Sequence, residues 1–339
     1  MIDFARLATW MDEQGLPGKG EPVEHRFLSG GTQNEIYEIR RGAERCAIRI
    51  PPSNAPGDRD EGILREWRII QALDGTDVPH APAVAVCADP SVLGRAFYLM
   101  GFVDGWSPMG RRGVWPAPFD TNLAARAGLG YQLCEGIALL SRVDWQARGL
   151  HGLGRPENFH ERQVDRWTSF FERVKTRDLD GMDVASAWLR AHQPIDYIPG
   201  IMHGDYQFAN VMFADGAPAR LAAIVDWEMG TVGDPKLDLG WMIQSWPEDT
   251  MAPAASGASY VDLSGMPSRS QVLARYAEVS GRQVDDIDYY VILARWKLAI
   301  VLEKGFARAG HDEKLLAFGP VIVDTMRAAA ELAERTDYR

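Results

Sequence analysis

The sequence predicts an α+β chain of two lobes, an antiparallel β-sheet lobe with one crossing helix over residues 1–100 and a larger, mainly helical lobe over 106–339. Three observations predict it. Short apolar runs bounded by Gly, Pro, Asn and Asp recur through the first hundred residues, as strands and turns require. Beyond residue 105 the apolar positions fall instead at helical spacing. The chain has 339 residues, 46% hydrophobic and 24% charged, which is enough for two ordinary cores. Residues 101–105 read as a hinge connector.

Residues 1–16 hold an amphipathic helix, with Phe4, Leu7, Ala8 and Met11 at helical spacing and Gly15, Pro17 and Gly18 as its stop. Val23–Leu28 and Glu35–Ile39 read as strands around the turn Ser29-Gly30-Gly31-Thr32-Gln33-Asn34, and Cys46–Ile50 as a third strand ending at Pro51-Pro52. A helix follows over about 58–73. At 100° per residue Ile63, Trp67, Ile70 and Leu73 share one face, and Glu66 falls inside that apolar sector. An inward carboxylate needs a cationic or hydrogen-bonding partner, and Arg49 on the preceding strand is the candidate. Val84–Cys87 and Phe97–Met100 read as two antiparallel strands around a turn at Asp89–Gly94.

In the second lobe, helices are expected over about 120–141, with Leu123, Ala127, Leu133, Cys134, Ile137 and Leu140 inward, then 156–174, anchored by Trp167, Phe170 and Phe171, and 184–192. Another opens after Asp234-Pro235, since Pro suits a first helical turn. Residues 247–267 read as a mobile loop. Ser268-Arg269-Ser270-Gln271 matches a capping box before a helix at 272–279. Helices over about 285–309 and 313–335 close the chain, with Trp296 and Ile300 inward.

Bulk properties exclude several classes. A net charge of −11 argues against sequence-independent nucleic-acid binding, which depends on Lys and Arg neutralising phosphates. Cys46, Cys87 and Cys134 are far apart and odd in number, so neither a disulfide framework nor a zinc cluster is expected. No apolar run is long enough to span a membrane, and the first residues lack a signal peptide's basic start, so the expected location is cytoplasmic.

The chemistry concentrates in His203-Gly204-Asp205-Tyr206-Gln207-Phe208-Ala209-Asn210 and Asp226-Trp227-Glu228. Val211–Phe213 and Leu221–Val225 flank an Asp-Gly and Pro turn, which predicts a hairpin bringing Asn210 and Asp226 close, with Asp205 just upstream. Oxygen ligands and a potential base in that pattern suit Mg²⁺-assisted phosphoryl transfer. Asp205 would orient an acceptor hydroxyl and take its proton, while Asn210 and Asp226 would hold the metal. Glu228 is a possible further metal or supporting residue. His203, Asp234 and Asp238 read as structural support for the loop and the next helix.

These words, with Gly233-Asp234-Pro235 and Asp238-Leu239, resemble the aminoglycoside phosphotransferase and choline kinase family, which has a protein-kinase-like fold. Arg65-Glu66-Trp67, Asp77-Val78-Pro79, Leu93–Met100 and Arg162–Trp167 resemble in particular the kinase-like domains fused to acyl-CoA dehydrogenases. The resemblance covers nearly the whole chain. It implies ATP or GTP with Mg²⁺, a small-molecule hydroxyl acceptor, and nucleotide contacts at Ser29, Gly30, Gly31, Thr32, Asn34, Arg49, Glu66, Met100 and Phe102. The family's usual lysine on the third strand is Arg49 here. Arg keeps the charge and can grip phosphate with two nitrogens, but its planar fork changes the geometry. Two acceptor classes stay open, aminoglycoside-like compounds and hydroxyacids or hydroxyacyl thioesters. Arg111, Arg112, Arg162 and Arg166 would suit an anionic acceptor, against surface solvation or salt bridging as their ordinary role. A catalytically silent nucleotide-binding scaffold is the alternative from another class.

Overall fold

The computed structural model describes residues 2–30, 34–111, 113–247 and 261–338. The chain divides into two compact units. The first comprises Met1–Gly105 with two later segments, Trp145–His151 and Ala222–Gly230. The second holds Trp106–Asp144, Gly152–Leu221 and Thr231–Arg339.

The first unit opens with α1 (Phe4–Glu13), capped by the Asp3 carboxylate, which accepts from the N–H groups of Ala5 and Arg6. Strands β1 (Glu24–Gly30), β2 (Glu35–Arg41), β3 (Glu44–Ile50), β4 (Ala83–Cys87) and β5 (Phe97–Gly101) form one antiparallel sheet in the order β1-β2-β3-β5-β4. Helix α2 (Arg59–Leu73) lies between β3 and β4 in sequence. The expected turn at Asp89–Gly94 is itself a short helix, α3 (Pro90–Leu93): Asp89 caps it, Pro90 fits its first turn, and Gly94 ends it at φ +82°.

Side-chain alternation decides what the sheet presents on each face. Ile39, Ile48, Ile50, Phe97, Leu99 and Cys87 pack with Leu7, Trp10 and Met11 of α1 in one core cluster. The intervening residues Arg49 and Tyr98 are register partners across β3 and β5, so they share the other face. There they meet α2, through Glu66 and through Trp67, whose ring lies 6.0 Å from that of Tyr98. The helical stripe read from the sequence is buried as expected, at Ile63, Trp67, Ile70 and Leu73.

Segment Ala222–Gly230 is bound into this unit by main-chain contacts. Ile224 N–H donates to Pro79 O at 2.8 Å, and the Arg65 guanidinium donates to Gly230 O. A Cβ on Gly230 would lie 2.9 Å from the Trp227 carbonyl oxygen and 2.3 Å from Ile69 Cδ1, so the main chain here is fitted to glycine.

The second unit contains α4 (Leu123–Leu140), α5 (Glu161–Val174), α6 (Met182–Ala191), strand β6 (Gly200–Met202) and strand β7 (Val211–Phe213). Then come β8 (Leu221–Ile224), which runs on into the first unit's segment, β9 (Thr231–Gly233), α7 (Lys236–Ile243), α8 (Arg269–Ser280), α9 (Ile287–Phe306), α10 (Glu313–Leu316) and α11 (Phe318–Arg335). The expected hairpin is present, β7 pairing with β8. β6 pairs antiparallel with β9, Gly200 opposite Gly233 and Met202 opposite Thr231, so the loop at 203–210 and the turn at 234–235 leave opposite ends of that ladder. α9 is the centre of this unit: Tyr289, Tyr290, Trp296 and Ile300 are fully buried in it. Ser268 and Gln271 form the expected capping box at α8.

Three expectations are corrected. Leu123 is 40% exposed, because it is the first residue of α4 and lies outside the buried stripe of Leu133, Cys134, Ile137 and Leu140. The helix expected from 156 begins at Glu161, after a turn. Of the loop expected at 247–267, residues 248–260 lie outside the described residues, whereas Val261, Leu263 and Met266 are buried. Trp115 and Arg126 hold that stretch, the indole donating to Asp262 O and the guanidinium pairing with the Asp262 carboxylate.

Candidate active site

In the first unit the candidate residues gather around one buried cation. Arg49 Nε lies 2.7 Å from Glu66 Oε2, and its Nη2 donates to Asp226 Oδ1 at 2.8 Å. The guanidinium therefore bridges the helix carboxylate and the second motif's aspartate. The Tyr98 hydroxyl donates to Glu66 Oε2 at 3.1 Å, and Asn34 Nδ2 lies 3.4 Å from Glu66 Oε1. Burial pushes the Glu66 carboxyl up, opposed by Arg49 and by the Tyr98 hydrogen bond. Burial works against the Arg49 charge too, yet Tyr98, Glu66 and Asp226 outweigh it and hold the guanidinium protonated. Asp226 sits at φ +65°, a left-handed conformation that costs a non-glycine residue energy. Glu228, two residues on, is half-buried, and burial together with the Asp226 charge pushes its carboxyl up.

The remaining nucleotide-contact candidates are more scattered. Ser29 and Gly30 are exposed at the end of β1, past a bulge between Phe27 and Ser29. Gly31 and Thr32 lie outside the described residues. Met100 is half-buried in β5, opposite Ala47 and Ala83. Phe102 lies under the Arg45 guanidinium, 3.6 Å from ring centroid to carbon.

In the second unit the cluster is built on the loop after β6. Asp205 is held by three side-chain donors: Gln207 Nε2 at 2.8 Å and Trp241 Nε1 at 2.9 Å to Oδ1, and Asn210 Nδ2 at 2.9 Å to Oδ2. Asn210 also donates to the Asp205 carbonyl at 2.7 Å, which closes the loop on itself. Burial pushes the Asp205 carboxyl up, while His203 and the three donors pull it down. Charge-assisted bonds of this kind fix the carboxylate's orientation.

Beneath the loop, buried Asp238 accepts from the main-chain N–H groups of His203 and Gly204. The buried His203 ring accepts from Asp205 N–H through Nδ1 at 3.3 Å. Asp234 caps α7 by accepting from Lys236 N–H, and it is fixed in turn by His160 and the Tyr290 hydroxyl. Gly240 lets α7 approach α9, since a Cβ there would meet the Tyr290 main chain at 2.6 Å.

Three contributors were not legible as such in the sequence. Tyr98 had a usable signal, since alternation along β5 places it opposite Arg49. Gln207 lies within the motif without an assigned part. Trp241 is thirty-six positions from Asp205, and only the packing of α7 reveals it. As for the basic candidates, Arg111 Nε donates to Val114 O, Arg162 to the carbonyls of Arg155 and Glu157, and Arg112 lies outside the described residues.

A family model described as the phosphotransferase enzyme family matches residues 24–271. The chain belongs to that family. The phosphotransferase chain is also 26% identical over 293 residues to mouse acyl-CoA dehydrogenase family member 10, covering 85% of this chain and 27% of that protein. It is 25% identical over 317 residues to human acyl-CoA dehydrogenase family member 11, covering 90% and 39%. It thus spans well under half the length of these curated relatives. Among solved structures, a candidate aminoglycoside phosphotransferase from Ralstonia eutropha superposes with a TM-score of 0.83 at 29% identity, covering 99% of both chains. The GDP complex of aminoglycoside 2'-phosphotransferase-IIIa gives 0.63 at 14%, covering 97% and 99%. The phosphotransferase has the kinase-like, mixed α+β fold of these neighbours.

In the second unit Asn210, its amide nitrogen turned to Asp205, presents an amide oxygen, and in the first unit Asp226 is a partly exposed carboxylate; each is a hard oxygen donor of the kind a divalent cation takes. Mg²⁺ takes few protein ligands and completes its shell with water and phosphate oxygens. Accordingly, no cluster of three His, Cys, Asp or Glu is needed, and none occurs among the described residues.

Proposed function

We propose that this phosphotransferase moves the γ-phosphoryl group of ATP or GTP to a hydroxyl of a small molecule. The observation that carries the reading is the Asp205 carboxylate, held by Gln207, Asn210 and Trp241 in one orientation. Phosphoryl transfer gains mainly from positioning and charge neutralisation, so a fixed acceptor for the hydroxyl proton is what the chain must supply. Asp205 orients the attacking hydroxyl and receives its proton as the new bond forms. Arg49 neutralises nucleotide phosphate charge, and Glu66 with Tyr98 keeps its fork in place. Asn210 and Asp226 are the residues that would offer oxygens to Mg²⁺, which would supply charge neutralisation to the phosphates. Asp238 and His203 brace the loop from below.

The neighbours' ligands are consistent with this reading. One is a GDP complex, and another is a ternary complex of an aminoglycoside phosphotransferase with ADP and hygromycin B. The relatives named as acyl-CoA dehydrogenase family members favour a hydroxyacid or hydroxyacyl thioester over an aminoglycoside. The test is a coupled nucleotide-turnover screen with Mg²⁺ over both acceptor classes, comparing wild type with Asp205→Ala. Loss of transfer by at least about a hundred-fold, with nucleotide binding retained, is the expected result. Equal turnover in both proteins would refute the role of Asp205 and leave a nucleotide-binding scaffold as the reading.

A further inference from the structure

Helix α2 holds the Asp226 turn at both ends, once through Arg49 and once directly. At the front, Glu66 pairs with Arg49, whose Nη2 donates to Asp226 Oδ1. At the back, Arg65, the neighbour of Glu66, donates from Nε and Nη2 to Gly230 O at 3.2 and 2.8 Å. Ile69 lies one turn beyond Arg65 on the same helix face, and Gly230 packs against it without room for a Cβ. Between the two ends runs a single 3-10 turn, Trp227–Met229, closed by Gly230 N–H donating to Trp227 O at 2.9 Å. Trp227 is buried, and its indole donates to Ile224 O. A displacement of Gly230 is therefore passed to Asp226 through one tight turn.

The two nitrogens of Arg65 go to one main-chain carbonyl rather than to a carboxylate. The side chain is half-buried, and burial, with the like charge of Arg68, works against its own charge. In return the bond is charge-assisted, stronger than a neutral one, and directed by the planar fork.

Asp226 needs such a hold. It stands at φ +65°, and a non-glycine residue keeps that conformation only where its surroundings impose it. Its side chain is 42% exposed, and its carboxylate is paired with Arg49. In the reading given above that pair is given up, since Arg49 then faces nucleotide phosphate and Asp226 faces the metal. The bond from Arg65 to Gly230 involves neither group and persists.

We propose that Arg65 is a positioning residue, its two-nitrogen grip on Gly230 O keeping Asp226 in the left-handed conformation that presents its carboxylate to the metal once Arg49 has turned to the nucleotide. The role deepens the reading of Asp226 as a metal donor and rests on it.

Titration calorimetry of the full chain with ATP and with GTP, each in Mg²⁺ and in excess EDTA, tests the role without turnover. Wild type should bind nucleotide more tightly in Mg²⁺, and Asp226→Asn should lose that increment. Arg65→Met should lower the increment about ten-fold or more, the worth of a charge-assisted hydrogen bond, while the affinity in EDTA does not fall. Arg65→Lys returns one charged donor and should recover part of the increment; it carries the same comparison where Arg65→Met does not fold. Losses in Arg65→Met and Asp226→Asn should not add in the double variant, because Arg65 acts through Asp226. In the chain free of metal and nucleotide, amide hydrogen exchange over Trp227–Gly230 should quicken in Arg65→Met and stay unchanged over α11. An equal fall of both affinities, additive losses, or unchanged exchange over Trp227–Gly230 would overturn the role of Arg65. An Mg²⁺ increment absent from wild type, or surviving Asp226→Asn, would overturn the metal reading itself and the role with it.

Discussion

Replacing Arg49 by Met should destabilise the fold by roughly 3–5 kcal/mol, the cost of leaving a buried charge without its partner. The figure applies because both side chains of the pair are buried, 9% and 3% exposed at Arg49 and Glu66. Asp226 is 42% exposed on the same fork, so its pairing adds little beyond what water would provide. Glu66→Gln alone should cost less, about 1–3 kcal/mol, because Arg49 retains Asp226. The double variant should then fall short of the sum by at least about 1 kcal/mol. Urea unfolding of the four proteins, followed by circular dichroism, measures this coupling.

The pH dependence gives a second readout. Burial already raises the Glu66 carboxyl, and Arg49 is the largest influence lowering it, so removing Arg49 raises it further. A carboxyl raised in the folded state is no burden below its unfolded value, where it is protonated in both states. The penalty grows as pH climbs through the folded value. The deficit of Arg49→Met should therefore be smallest near about pH 4 and widen toward about pH 8. Additivity within about 0.5 kcal/mol, together with a deficit that ignores pH, would refute the buried bridge.

Trp241→Phe removes one of three donors to Asp205, and a hydrogen bond to a carboxylate is worth about 1.5–3 kcal/mol, so kcat should fall about ten-fold or more with nucleotide KM unchanged. Because that donor lowers the Asp205 carboxyl, the acid limb of the pH–rate profile should move to higher pH. Gly240→Ala drives a methyl to 2.6 Å from the Tyr290 main chain and should cost about 1–3 kcal/mol in thermal unfolding. Ser268→Ala loses the side-chain acceptor of the α8 capping box, and about 1 kcal/mol of stability by the same measurement.

What could be read from the sequence follows the range of the forces involved. Local signals sufficed for the helices, the capping box and the strands, since propensity and periodicity act within a few residues. The inward placement of Glu66 was legible because a carboxylate inside an apolar stripe demands a partner, and Arg49 on the preceding strand was the cation at hand. Trp241 was not legible. It is an ordinary residue on an apolar helix, given meaning only by which helix packs against which. Leu123 misled because a stripe does not say where a helix begins. Nor did chain order reveal that Ala222–Gly230 joins the sheet unit, since its hydrogen bonds run to Pro79 and Arg65, well over a hundred positions away.

That last arrangement bears on synthesis. The sheet unit takes its final strip of chain from residues that emerge on the order of ten seconds after its five strands. Through that interval Pro79 O and Arg65 lack their mates, and Arg49 has Glu66 but no Asp226. A fragment cut at Gly105 would be permanently in that state, although it contains every strand of the sheet. For expression purposes the smallest self-sufficient piece bearing the nucleotide-contact candidates therefore reaches at least to Gly230.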